Sequence, residues 1–183
     1  MATAAYSVAG KWRVRGREYD LARRALVMGV LNVTPDSFSD RGRYADPGAA
    51  LERALAMIAE GADVIDVGGE STRPGSAIVS PEEEIARVRP VLERLVPVSS
   101  VPVSIDTRKT EVARVALDLG AAILNDVSGL RVDPAGGGGH ERARLAAEHH
   151  AGLVLMHMQG TPQTMQDNPR YDDVLGEVKG FLF

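Results

Sequence analysis

The stretch ALVMGVLNVTPDSFSD, residues 25–40, changes from apolar to polar within a few positions. Its first half is a continuous apolar run, which is typical of a strand buried on both faces of a parallel sheet, whereas a strand with one solvated face alternates. After Val33 the chain carries a proline, three hydroxyl residues and two aspartates. The stretch therefore predicts a buried strand that presents polar groups in the loop at its carboxyl end.

Four further apolar runs of this kind lie at residues 64–68, 101–106, 122–126 and 152–158. Helical patterns separate them, as parallel strands require helical crossovers. Asp46 and Pro47 are typical of a helix start, and Ser80 opens a capping box before a second helix. A third helix has its apolar stripe at 112–119, a weaker fourth covers roughly 140–149, and 172–183 predicts the start of a fifth.

Repeated β-α units form either an open doubly wound sheet or a (β/α)8 barrel. A barrel collects its site from many strand ends, whereas an open sheet concentrates it at one switch point. No GxGxxG or GxxxxGK[ST] motif comes after the first strand, and every strand ends on polar residues: Asn32, Asp66 followed by Glu70, Asp106, Asn125 with Asp126, and His157. We therefore predict a (β/α)8 TIM barrel, of which about five βα units lie in this chain, as a single, C-terminally incomplete domain over 1–183.

Composition excludes several classes of function. The net charge is −4 without a dense basic block, so no nucleic-acid partner is expected. The chain has no cysteine, which rules out disulfides and thiolate metal sites. No apolar run approaches the ~18 residues of a membrane span and no signal peptide is recognisable, so we expect a cytoplasmic protein without a membrane partner.

Asp106 and Asn125 are the first candidates for ligand binding. A carboxylate accepts two N–H bonds from an N–C–N edge, and an amide both donates and accepts. Together they suit a flat heterocycle such as a 2-amino-4-oxo pyrimidine. The alternative is that Asp106 caps the helix beginning near Arg108 and that Asn125 satisfies local backbone.

The segment GGESTRPG, residues 68–75, combines a hydroxyl, a guanidinium and flexible backbone, which suits phosphate. Thr72 and Arg73 carry these groups, although a Gly/Pro turn with a solvated arginine has the same composition. Asn32 offers a carbonyl oxygen near Asp36 and Asp40, and hard oxygen ligands suit Mg2+. A lone asparagine at a strand end also satisfies backbone, so the metal role stays open on these residues alone.

Two other residues near strand ends have competing interpretations. Phe38, within a polar loop, is either an anchor that packs on the barrel or a residue that meets an aromatic substrate. His157 ends an otherwise apolar run, where histidine is more often structural, and it receives no catalytic role.

Four segments of the chain resemble dihydropteroate synthase, the folate-pathway enzyme. They lie in the family's order and cover most of residues 25–178: LNVTPDSFSDRGRY, GADVIDVGGESTRPGS, SIDTRKTEVARVALDLGAAILNDVSG and LVLMHMQGTPQTMQDNPRYDDV. The resemblance implies a (β/α)8 barrel and an alkyl-transferring enzyme of folate biosynthesis. That enzyme joins p-aminobenzoate to 6-hydroxymethyl-7,8-dihydropterin diphosphate and releases pyrophosphate with Mg2+ present; the full-length family is expected to form homodimers.

The resemblance also implies roles for individual residues. Asp106 and Asn125 would hold the pterin edge and Met156 its floor. Asn32 would contact Mg2+ and diphosphate, with Thr72 and Arg73 at the diphosphate. The remaining positions are Phe38 and Pro74, which flank p-aminobenzoate in the family, and a mobile loop containing Thr34, Asp36 and Ser37.

The chain departs from the family after its fifth strand. The family draws further contacts from an aspartate on the sixth strand, a lysine in a Gly-Phe-Gly-Lys type motif and a late Arg-x-His, and none is present here. We expect a fragment of a longer enzyme, a short product completed by another chain, or a decayed copy, and no turnover from these 183 residues alone. The rival function is a non-catalytic pterin-binding module or a barrel like the folate-binding methyltransferases, which are not expected to carry TPDSFSD or GESTRPG.

Overall fold

The computed structural model describes residues 10–34, 46–71, 78–131, 138–161 and 164–182. Seven strands and five helices lie in these ranges. In chain order they are β1 (Lys11–Val14), β2 (Arg17–Asp20), β3 (Met28–Asn32), α1 (Pro47–Ala59), β4 (Val64–Gly68), α2 (Pro81–Leu95), β5 (Val103–Asp106), α3 (Thr110–Asp118), β6 (Ile123–Asp126), α4 (Gly139–Glu148), β7 (Gly152–Leu155) and α5 (Val174–Leu182). None of the helices in the described part of the chain is long and apolar enough to cross a membrane.

Strands β3 to β7 form one parallel sheet whose spatial order is the order of the sequence. An open doubly wound sheet reverses its strand order at a switch point, whereas a barrel adds each strand beside the previous one. The uninterrupted order therefore confirms the predicted barrel architecture, with five βα units forming a partial barrel.

Local signals fix the starts of the first two helices as predicted. The Asp46 carboxylate accepts from the Gly48 N–H at 3.0 Å, and Pro47 is the first helical residue. The Ser80 hydroxyl accepts from the Glu83 N–H at 3.2 Å, which is the serine half of the predicted capping box. The carboxylate of Glu83 instead pairs with Arg87.

The outer face of the sheet packs against α1 to α4 and forms the main core. Fully buried side chains from both layers meet there, among them Leu31, Ile65, Val67, Ile105 and Leu124 from the strands and Ala54, Val88, Leu92, Val112 and Ala116 from the helices. Burial on this face follows from the strand and helix periodicities together.

A hairpin of β1 and β2 covers the amino-terminal end of the sheet, and the sequence analysis missed it. Arg15 and Gly16 form its turn at φ 44° and 80°, the backbone that a two-residue hairpin loop requires. Val14 packs inside the sheet with Val64 and Ile123. Two short alternating runs around Arg-Gly were the available signal.

We predict that Gly152→Ala loosens this hairpin. A Cβ at Gly152 would lie 2.6 Å from Cζ2 of Trp12 and 2.8 Å from Cγ2 of Val14, so the hairpin must shift. The expected loss in the free energy of unfolding is about 1–3 kcal/mol, the usual cost of overpacking. Urea unfolding measures it, and emission from Trp12, the single tryptophan, reports the displacement.

The control for that variant is Gly180→Ala, since a Cβ at Gly180 meets nothing within 4 Å. It should leave tryptophan emission unchanged and cost no stability. Equal stability and emission for wild type and Gly152→Ala would contradict the hairpin packing.

Candidate functional site at the strand ends

Strand register places four predicted site positions in one row. Asn32 pairs with Gly68, Gly68 with Asp106, and Asp106 with Asn125. Register partners in a parallel sheet point to the same face, so these positions share the inner face at the carboxyl end. Gly68 keeps the row open, because a Cβ there would lie 3.6 Å from Asn32 Oδ1 and 3.7 Å from Asp106 Oδ2.

The Asp106 carboxylate is half-buried at the end of β5. Burial raises its pKa to about 7, and the nearby carboxylates of Asp66 and Glu84 add to the shift. It does not cap α3, which begins at Thr110 with Lys109 in the cap position, so that alternative was wrong. Its Oδ2 lies on the side of Gly68, the neighbouring position of the row.

The Asn125 amide is engaged by a side chain rather than by local backbone. Its Nδ2 donates to Asp66 Oδ2 at 2.9 Å. The alternative in which Asn125 satisfies its own backbone was therefore wrong. Asp66 precedes Gly68 by two residues on the same face of β4. This bond therefore links Asn125, at the strand ends, to a residue inside the sheet.

A buried ionic network supports the ends of β4 and β5, and sequence reasoning missed it. Lys109, 6% exposed, pairs with the fully buried Glu84 and lies 3.1 Å from Glu70 Oε2. Glu70 Oε1 also accepts from the Val79 N–H at 3.1 Å. An acidic residue four positions before Val88, on the apolar stripe of α2, was the signal that could have revealed it.

A second buried ion pair fixes the segment after β6. The fully buried Arg142 donates from Nε to Asp126 Oδ2 at 2.8 Å and from Nη2 to the Arg131 carbonyl at 2.7 Å. The pair anchors α4 to the strand that carries Asn125. Sequence reasoning noted Asp126 as a strand-end residue but assigned no partner.

Met156 and His157 come after β7 rather than end it, because the strand stops at Leu155. The backbone of Met156 is still hydrogen-bonded to β6, since its N–H donates to the Asp126 carbonyl at 3.1 Å. The His157 ring packs edge-on against Phe181 with centroids 4.6 Å apart, and its Nδ1 lies 3.4 Å from the Tyr171 hydroxyl. This packing agrees with a structural role for His157.

Several predicted site residues lie outside the described residues: Asp36, Ser37, Phe38, Thr72, Arg73 and Pro74. Thr34, the other loop position, is buried two residues after the end of β3. Asn32 is exposed at the end of β3, and its Oδ1 lies on the side of Gly68. Across the described ranges, no cluster of three His, Asp or Glu residues could hold a metal ion by itself.

The fold and the row of polar groups define a class: a (β/α) barrel protein whose candidate site lies at the carboxyl ends of its strands. Residues 28–183 match the family described as pterin binding enzyme. The chain belongs to that family.

Curated relatives named dihydropteroate synthase are similar to the chain along most of its length. The protein from Synechocystis is 45% identical over 164 residues, and the one from Escherichia coli is 50% identical over 156 residues. These alignments cover 90% and 85% of this chain but 55% and 53% of those proteins. The chain thus spans about half the length of the curated relatives it matches.

Solved structures of dihydropteroate synthases are also similar to the chain, and again along only part of their own length. The Yersinia pestis dihydropteroate synthase, in a sulfonamide drug complex, superimposes with a TM-score of 0.79 at 43% identity, covering 93% of this chain and 59% of that one. The Burkholderia cenocepacia enzyme, complexed with 7,8-dihydropteroate, gives 0.75 at 44% identity, covering 94% and 55%. The predicted family and barrel fold are confirmed.

We predict that Asp106→Asn stabilises the fold at high pH. Because the pKa of Asp106 rises from 3.8 to about 7 on folding, the folded state holds a proton between these pH values that the unfolded state has released. Stability from this group is therefore lost as pH rises. The variant should match wild type in urea unfolding at pH 4 and exceed it at pH 8.

Asp63→Asn is the control, because the Arg24 guanidinium holds the pKa of Asp63 down at about 2. Loss of the Asp63 negative charge should lower the free energy of unfolding at both pH 4 and pH 8. If Asp106→Asn were no more stable than wild type at pH 8, the raised pKa would be wrong.

Proposed function

We propose that this chain carries the pterin-binding half of a dihydropteroate synthase, a transferase of folate biosynthesis. The observation that carries the proposal is that Asp106 and Asn125 are register partners on the neighbouring strands β5 and β6, at their open carboxyl ends. Family membership and the names of the relatives support it. Solved relatives hold 4-aminobenzoic acid, the second substrate of this reaction, and 7,8-dihydropteroate, its product, which supports the proposal.

In the proposed reaction the amine nitrogen of p-aminobenzoate attacks the methylene carbon of the dihydropterin diphosphate. The carbon–oxygen bond to diphosphate breaks, pyrophosphate leaves, and the amine loses a proton. Asp106 and Asn125 would hold the heterocycle by its N–H edge, with Met156 beneath it. The protein would act mainly by orienting both substrates and excluding water.

Diphosphate and Mg2+ belong to the end of β3 in this proposal. Asn32 offers one exposed carbonyl oxygen there. A single protein oxygen fits Mg2+, which keeps several waters and relies on substrate phosphates. When bound, the ion would stabilise the charge of the leaving pyrophosphate; Thr72 and Arg73, by family resemblance, would contribute hydroxyl and guanidinium groups.

The second substrate is assigned to the segments after β3 and β4 by resemblance. Phe38 and Pro74 would flank p-aminobenzoate, and the loop with Thr34, Asp36 and Ser37 would close over the diphosphate. A homodimer of the full-length enzyme and a cytoplasmic location complete the proposal.

Binding of pterin (2-amino-4-oxopteridine) to this chain, measured by calorimetry, tests the function. An ionised Asp106 accepts from the N–H edge, so affinity should rise roughly eightfold between pH 6 and pH 7.5, as a pKa of about 7 requires. Asp106→Asn should bind at least about tenfold more weakly and lose the pH dependence, since one charge-assisted bond is worth about 1.5–3 kcal/mol.

The surface variant Asp63→Asn should bind as wild type does. Failure of the wild-type chain to bind pterin saturably would overturn the proposed function. Unchanged affinity in Asp106→Asn would remove that residue from the site.

A further inference from the structure

Asp66 is a buried carboxylate that the proposed chemistry does not use. It lies on the inner face of β4, between Val30 and Ser104 in register, and is 3% exposed. A buried charge is costly unless hydrogen bonds compensate it. Asp66 Oδ2 accepts from Asn125, and the Ser104 hydroxyl, its register neighbour, also favours the ionised carboxylate, but burial outweighs both and raises the pKa of Asp66. The carboxylate is thus retained at a position where it costs stability.

The bond to Asp66 distinguishes the two orientations of the Asn125 amide. A side-chain amide has a donor end and an acceptor end of nearly equal shape. With Nδ2 directed to Asp66, the carbonyl oxygen of Asn125 is turned away from that carboxylate. A flipped amide would set its carbonyl oxygen against a carboxylate oxygen, and two acceptors repel. The carboxylate therefore selects one orientation.

We propose that Asp66 is a positioning residue that holds the Asn125 carbonyl oxygen toward the open strand ends, where it selects heterocycles carrying an amino group. Asp106, the register neighbour of Asn125, is also an acceptor. Two adjacent acceptors match a 2-amino edge and repel a 2-oxo edge. The identity of the ligand rests on the proposed function; the orientation of the amide does not.

The first test needs no ligand. The chain has three asparagines and three glutamines, so the six side-chain amides form a sparse 1H–15N spectrum, and Asn125→Ser assigns the relevant pair. In wild type one Asn125 Nδ2 proton should be shifted downfield and exchange slowly. In Asp66→Ala the pair should move to the positions of an exposed amide such as Asn168.

Two further variants keep that test decisive. Asp66→Asn preserves volume if the alanine variant fails to fold, and it should also shift the Asn125 pair, since an amide no longer selects one orientation. Asp63→Asn removes a carboxylate from the same segment without touching Asn125 and should leave the pair unchanged. Unaltered Asn125 signals in a folded Asp66 variant would overturn the proposal.

The second test measures selectivity. Wild type should bind pterin at least about tenfold more tightly than lumazine (2,4-dioxopteridine), because an amino-to-oxo change leaves two acceptors facing each other. In Asp66→Asn the ratio should fall toward one. Equal weakening of both ligands with the ratio intact would indicate a merely structural residue and overturn the proposal. If wild type binds neither ligand, the proposed function fails, and the amide spectrum still decides the role of Asp66.

Discussion

The parallel ladder from β3 to β7 is the constraint on which the rest of the molecule depends. Each strand pairs with the next one along the chain, in a register that brings Asn32, Gly68, Asp106 and Asn125 to one level. The helices cover the outer face with apolar side chains, and the polar side chains Asp66, Asp106 and Asn125 of the described sheet lie on the inner face or at the strand ends. The position of the site is thus a consequence of sheet geometry, and its loops need only supply additional groups.

The described carboxylates near this row fall into two groups: those paired with a cation and those without one. Glu84 and Asp126 are buried against Lys109 and Arg142, which neutralise them and fix the segments around the site. Asp66 and Asp106 have no such cation among the described residues, and burial raises the pKa of both. Glu84 and Asp126 are thus paired with cations and support the fold, whereas Asp66 is held by the Asn125 amide and Asp106 remains at the open strand ends.

Local pattern explains why the strands and helices of the sheet could be predicted. Continuous apolar runs, Asp46 with Pro47 and the serine of the capping box act within a few residues, and each appears where expected. The hairpin at Lys11–Asp20 was not predicted from the sequence, because its strands are short and its apolar residues alternate with charged ones. Strand β7 ended at Leu155, earlier than its apolar run, and His157 beyond it packs against Phe181.

The sequence by itself determined the fold class, the family and the identity of the residues at each strand end, because strand period, helix caps and family motifs are local properties. Only the tertiary structure decided which of those residues meet. The bond between Asn125 and Asp66 joins positions 59 residues apart, and that between Lys109 and Glu84 joins the cap of α3 to α2. Such pairings depend on register and on helix placement, which the whole sheet fixes together and no local pattern encodes.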